Sequence, residues 1–152
     1  MTWSELLAQK RVVGEPASAE ELHSLQAVVR RSLADAALPR LSTDGRFAMA
    51  YNAARTLAAM VVRAAGYRVK PTGGGHVNTF LALATADLCF ADWADYFDLC
   101  RRKRNDLSYV GADLVSASEA AELIERVQSF KALVEVWLAQ HHPGLLGAAD
   151  PM

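Results

Sequence analysis

The run Phe47-Ala48-Met49-Ala50-Tyr51-Asn52-Ala53-Ala54-Arg55-Thr56-Leu57-Ala58-Ala59-Met60-Val61-Val62-Arg63-Ala64-Ala65, residues 47–65, decides the fold. Phe47, Ala50, Tyr51, Ala54, Leu57, Ala58, Val61 and Ala65 recur at steps of three and four, which places them on one face of an α-helix. Ala50, Ala54 and Ala58, four apart, make that face flat enough for a neighbouring helix to approach closely. The pattern predicts a helix from about Asp44 to Ala65, with Gly66 as its C-terminal stop.

Working outward, the same logic yields more helices and no strand-like alternation. Upstream, Ser18-Ala19-Glu20-Glu21 carries the Ser-x-x-Glu signature of a capping box and opens a helix to about Ala37. Its stripe is Leu22, Leu25, Val29, Leu33 and Ala36, and Pro39 ends it. A similar signature, Thr2-Trp3-Ser4-Glu5, starts a short first helix over Trp3 to Gln9, before the breaker Gly14-Glu15-Pro16. Downstream, Thr72-Gly73-Gly74-Gly75 reads as a flexible loop. Helices follow over His76 to Leu88 and Ala91 to about Leu107. Ser116-Ala117-Ser118-Glu119 then caps the longest helix, to about Gln140, striped by Leu123, Val127, Phe130, Val134, Trp137 and Leu138. The expectation is an all-α, antiparallel up-and-down bundle of four to five main helices. Residues 1–142 form one domain with its core over about 19–140, and 143–152 form a flexible tail.

At 152 residues with a net charge of −1, the chain is long enough to bury a core unaided and has no global field to attract a polyanion. Charge is nonetheless uneven. The stretch up to Lys70 has an excess of Lys and Arg, 87–98 is purely acidic, and four cations follow at once. Cys89 and Cys100 lack metal or redox spacing and read as buried free thiols of a reducing compartment. The N-terminal ten residues lack the apolar run of a signal peptide, and no apolar run approaches the roughly 20 residues of a membrane span, so the expected location is cytoplasmic.

Chemistry concentrates in Arg101-Arg102-Lys103-Arg104-Asn105-Asp106-Leu107-Ser108-Tyr109. On a wheel of 100° per residue, Trp93, Tyr96, Phe97, Cys100 and Leu107 share one side, and Arg104 falls among them. Arg101, Arg102 and Lys103 have an ordinary explanation: cations complement a helix C-terminus, and Asp98 lies three and four residues before Arg101 and Arg102. Arg104 does not, because an unpaired buried guanidinium costs several kcal/mol, on the order of 3–5. It needs a partner carboxylate, such as Asp87 or Asp95, or a cleft.

Arg104-Asn105 followed by Tyr109 near the end of a bundle helix resembles the signature of the HEPN superfamily: Arg, a polar residue, a short spacer, then His. Gly75-His76-Val77-Asn78-Thr79-Phe80 and Tyr51-Asn52-Ala53-Ala54 resemble further segments of bacterial members, so the similarity spans roughly Ala19 to Ala139. It implies a HEPN-like bundle that dimerises with the Arg and His of both subunits in a cleft. It also implies nucleotide binding, metal-free RNA cleavage, or pairing with a nucleotidyltransferase-type antitoxin. In the nuclease chemistry His handles the 2′-hydroxyl proton and Arg stabilises the phosphate.

Arg104 and Asn105 match the family pattern, whereas the family His is replaced by Tyr109. An ordinary tyrosine near 10 is about 0.1 per cent ionised at neutral pH; its distance from a histidine near 6.5 amounts to about 5 kcal/mol of proton affinity. The slot for a modifiable tyrosine two residues further on is Gly111. Catalysis, if retained, would fall to Arg104, Asn105 and Tyr109, and phosphate binding to Arg101, Arg104, Asn105 and His76. The leading expectation is thus a dimeric nucleotide- or RNA-associated binding protein without strong catalysis. Its rivals are a metal-independent endoribonuclease of a toxin–antitoxin system, using Tyr109 or His76, and a purely structural helical dimer.

His76 is the best substitute histidine. His141 and His142 suit a helix C-terminus, and His23 belongs to a polar helix face. Glu20-Glu21-Leu22-His23 contains one Glu-x-x-His of the kind used in di-iron bundles but has no second copy. No metal, cofactor or Walker-type phosphate loop is expected.

Overall fold

A computed structural model describes residues 1–71, 74–110 and 115–146, with residues 106–110 and 146 described by backbone alone. Seven helices and one two-stranded ribbon follow in order: α1 (Trp3–Ala8), β1 (Val12–Gly14), α2 (Ala19–Ala36), α3 (Thr43–Ala64), β2 (Tyr67–Val69), α4 (Gly75–Ala86), a single 3-10 turn (Leu88–Phe90), α5 (Ala91–Val110), α6 (Ala117–His141) and α7 (Pro143–Leu146). The chain is an all-α bundle, as the stripes require.

The flat face of α3 explains its central place. Ala50, Ala54 and Ala58 are fully buried, and α3 packs against α2, α6, α4 and α5. Small side chains let these axes come close, and larger ones fill the layers between: Leu22 and Val29 from α2, Leu123, Val127 and Leu138 from α6. Rings run through the core in sequence. Tyr51 meets Phe80 at 6.1 Å between centroids, Phe80 meets Phe97 at 6.1 Å, and Phe97 meets Phe130 at 4.9 Å. Such offset or edge contacts add about 0.5–1.5 kcal/mol each beyond burial.

Local sequence chemistry sets the helix ends. Thr2–Glu5 and Ser116–Glu119 form complete capping boxes. Ser18 forms half of one: its hydroxyl accepts from the Glu21 amide at 3.1 Å, but the Glu21 carboxylate turns away to Arg63. Gly66 stops α3 in the left-handed region at φ 99°, where a side chain would be strained.

Two details differ from the sequence expectation. Val12, Val13 and Gly14 pair antiparallel with Val69, Arg68 and Tyr67, forming a ribbon across more than fifty residues of chain. Trp3 stacks on Tyr67 at 4.0 Å and Val12 is buried, so the ribbon and α1 close a second small core beside Val62 and Ala82. Second, Pro143–Leu146, expected as the start of a tail, form α7, which touches α2 while Leu145 packs on the main core. Residues 147–152 of that expected tail lie outside the described residues.

Candidate functional site

α5 carries its cations in two distinct ways. Asp98 accepts from Arg101 Nε at 2.8 Å and from Arg102 Nη2 at 3.0 Å, the ion pairs the spacing predicts. Those contacts hold the Asp98 carboxyl below its ordinary range, the hydrogen bond from Arg101 contributing most. Lys103 reaches α6 and pairs with Glu119 at 3.2 Å. Arg104 turns toward α3, its guanidinium carbon 5.5 Å from the centre of the Tyr51 ring, within cation–π range. Asp87, by contrast, lies before the 3-10 turn that leads into α5, accepting from Trp137 Nε1 and the Cys89 amide.

Tyr51 is the hub. Its ring is buried, and its hydroxyl lies 3.0 Å from His76 Nδ1 on the first turn of α4. One turn along α3 stands Arg55, whose Nη2 donates to Asn52 Oδ1 at 2.9 Å; Asn52 in turn donates to Ser32 of α2 at 3.1 Å. Arg55 is therefore held by an amide. Among the described residues no carboxylate pairs with it.

The electrostatics follow from this composition. His76 is pushed down to about 4, by burial first and then by the charges of Arg55, Arg104 and Arg101. Tyr51 is pushed up to about 12 because burial outweighs those same cations. Near neutral pH both groups are uncharged. A neutral imidazole keeps one N–H and one acceptor nitrogen. If the Tyr51 hydroxyl donates to Nδ1, the proton sits on Nε2, and His76 becomes a hydrogen-bond donor in a positive field.

His76 also lines a groove of about 360 Å³. Arg55 and His76 belong to its wall, with Arg68, Lys70 and Gly75, while Arg104 is outside it. Gly74, left-handed at φ 83°, starts α4 without a side-chain cap.

Of the residues read from the sequence, the structure brings Arg101, Arg104 and His76 together. Asn105 is half-buried at the next position, 100° round the helix from Arg104. The Tyr109 side chain and Gly111 lie outside the described residues. Tyr51 and Arg55 escaped the sequence reading as functional groups: Tyr51 passed as core, and their four-residue spacing on one edge of α3 was the available signal. His23, read as solvated, has Nε2 buried without a hydrogen-bond partner. No cluster of three or more potential metal ligands forms among the described residues. No described helix is long and apolar enough to cross a membrane.

The fold defines a class, an all-α bundle in which three guanidinium groups from α3 and α5 surround an uncharged Tyr–His pair. The SAV_6107-like HEPN family model matches residues 37–135, and the chain belongs to that family. The match runs from the end of α2 through most of α6 and so contains every residue of the site. Membership ties the chain to nucleotide- and RNA-related function. No curated protein and no solved structure matches the chain.

Proposed function

We propose that this protein is a nucleotide- or RNA-associated binding module that acts as a homodimer, grips phosphate with Arg104, Arg101 and Arg55, and does not catalyse strongly. The observation that carries the reading is the placement of these three guanidinium groups around the neutral Tyr51–His76 pair, with Asp98 the carboxylate that holds Arg101. A phosphate entering such a field gains charge-assisted hydrogen bonds from Arg and a further donor in His76. Asn105 and Tyr109 match the polar position and the histidine position of the family pattern. Family membership supports the homodimer, in which a second copy would supply the other half of a cleft.

Weak catalysis follows from the histidine. A general base works best near the operating pH, and His76 at about 4 binds its proton poorly. Tyr109 in the family histidine position is a worse base at neutral pH by its ordinary chemistry. The test is titration with inorganic phosphate and with a short single-stranded RNA across a salt series. Binding should fall steeply with salt, and Arg104→Ala should weaken it at least tenfold. Undiminished binding by that variant overturns the assignment.

One observation favours a second reading, a metal-independent endoribonuclease. His76 stands near Arg104 and is oriented by the Tyr51 hydroxyl, an arrangement of base and orienting group. A bound phosphate would offset the surrounding cations and raise the proton affinity of the histidine toward that of a base at neutral pH. RNA cleavage in EDTA, lost in both His76→Ala and Arg104→Ala, would establish this reading; an inert protein over a broad panel of RNAs rules it out.

A further inference from the structure

The group that holds Arg55 is an amide, although the carboxylate of the same shape would hold a guanidinium more strongly. Elsewhere in the fold a carboxylate fills that place: Glu21 answers Arg63, and Asp98 answers Arg101. Asn52 works at both ends. Its Nδ2 donates to Ser32 Oγ of α2 at 3.1 Å, and its Oδ1 accepts from Arg55 Nη2 at 2.9 Å. Ser32 is only 4% exposed, so one end of the amide is anchored on a buried hydroxyl. Turning the amide over would set Nδ2 against the Arg55 donors, which leaves one arrangement that satisfies both neighbours. A carboxylate would fit there too, with the Ser32 hydroxyl turning to donate to it. Shape therefore admits either group at position 52, and the two differ in charge.

We propose that Asn52 is a positioning residue that fixes the Arg55 guanidinium beside His76 and leaves its positive charge unneutralised. Arg55 and His76 line the same groove, and Arg55 leads the three cations that act on the imidazole. A carboxylate at position 52 would form an ion pair and cancel most of that charge at His76. Around His76 stand Tyr51 and Arg55 from α3 and Arg101 and Arg104 from α5, with Asp98 bound to Arg101. Along the groove lie Lys70 and three groups committed to one another, Glu21, Arg63 and Arg68. Replacing Asn52 by Asp adds one negative charge to this background and keeps the rest of it. The consequence for phosphate rests on the binding reading above; the consequence for His76 does not.

In the full chain, NMR follows the His76 titration and calorimetry measures the affinity for inorganic phosphate at low salt. Asn52→Asp should fold with an unchanged or higher urea midpoint, raise the His76 titration by about one pH unit and weaken phosphate binding about fivefold. Asn52→Leu removes the hold without adding charge. Phosphate binding should then fall about threefold, while the His76 titration moves far less than in Asn52→Asp. Arg55→Met should raise the titration as Asn52→Asp does, since either change subtracts one positive charge. It carries the test alone if Asn52→Asp does not fold. A His76 titration that stays put in folded Asn52→Asp, or in Arg55→Met, overturns the inference. An equal shift in Asn52→Asp and Asn52→Leu overturns it too, because Asn52 would then be a packing residue only. If Arg104→Ala weakens phosphate binding while Asn52→Asp changes neither readout, the phosphate site stands and the role of Asn52 falls. If Asn52→Asp raises the His76 titration and neither it nor Arg104→Ala alters phosphate binding, the role of Asn52 stands and the phosphate reading falls.

Discussion

Two arginines on α3 lie eight residues apart and live in opposite surroundings. Arg63 is buried and fully answered. It donates to Glu21 at 2.6 and 2.9 Å, to the carbonyls of Glu15, Tyr67 and Pro16 at 2.7, 3.0 and 3.2 Å, and pairs with the Glu15 carboxylate at 3.2 Å. Glu21 is accordingly held below its ordinary range, mainly by the hydrogen bond from Arg63. Arg55 is half-buried and answered by an amide, next to a neutral histidine, with Arg104 and Arg101 adding their charge. The first arrangement spends every donor of the guanidinium inside the protein and ties α2, α3 and the β1–β2 ribbon together. In the second, Arg55 has an amide and no carboxylate among the described residues. That contrast separates an arginine committed to the fold from one held by a single amide more surely than burial does.

The largest effect expected from this contrast is on stability. Arg63→Met removes the buried cation, leaves three carbonyls without their donor and leaves Glu15 and Glu21 with Arg68 alone. Loss of one partner of a buried ion pair costs roughly 3–5 kcal/mol, and partial exposure of both carboxylates brings the expectation to about 3 kcal/mol. Urea denaturation measures it, with phosphate affinity of the folded fraction unchanged. A stable Arg63→Met that loses phosphate would reverse the two roles. Arg55→Met should do the opposite, weakening phosphate binding about tenfold while changing stability by under 1 kcal/mol, since its neutral hydrogen bond to Asn52 is worth about that much.

Acid sharpens the comparison in a way salt does not. His76 is lowered to about 4 in the folded chain and titrates near 6.5 when unfolded. Between these values the unfolded state binds more protons, so stability contributed by the neutral imidazole is present above about pH 6.5 and is lost as pH falls toward 4. The groups acting on it are Arg55, Arg104 and Arg101, with the Tyr51 hydroxyl as its hydrogen-bond partner. Allowing for solvent screening of a half-buried site, the loss between pH 7 and pH 5 should be roughly 1 kcal/mol. His76→Gln should remove it from the urea midpoints. Phosphate should shift the His76 titration upward in an NMR experiment, because an anion offsets the cations that depress it. A titration of His76 near 6.5, unmoved by phosphate, would mean that the cluster exerts no such field.

How far the sequence disclosed all this depends on range. The face of residues 47–65 reported α3 and its close neighbours directly, because helical periodicity is a local property and burial enforces it over several turns. Arg101 and Arg102 were legible for the same reason: Asp98 is one turn away. The ribbon was not, since Val12–Gly14 and Tyr67–Val69 are too short for alternation to register and meet only through the tertiary fold. The arrangement around Tyr51 was half legible. Arg104 stood out as a cation on an apolar face, and His76 as a histidine after a glycine loop. Their meeting through Tyr51 requires α4 and α5 to dock on the same end of α3, and no spacing in the chain encodes that. Glu21 was misread for a related reason. Its capping spacing is correct, but a buried guanidinium is a stronger partner for a carboxylate than a backbone amide at an exposed helix start.

The smallest effect tests the division of labour within α5 itself. Arg102 is largely exposed, at 63% of its side-chain surface, and shares Asp98 with Arg101, which is only 19% exposed. An exposed i,i+4 pair contributes about 0.3–0.5 kcal/mol, so Arg102→Ala should lower stability by no more than that. Its effect on phosphate binding is more telling. With Arg102 gone, Asp98 turns wholly to Arg101 and withdraws charge from the site, so affinity should fall by about twofold, well short of the loss in Arg104→Ala. Asp98→Asn should then act in the other direction, releasing Arg101 and strengthening binding severalfold at low salt. Should Asp98→Asn instead weaken binding, the carboxylate would be positioning Arg101 for the phosphate and not competing for it, and the positive field would matter less than the geometry of that one side chain.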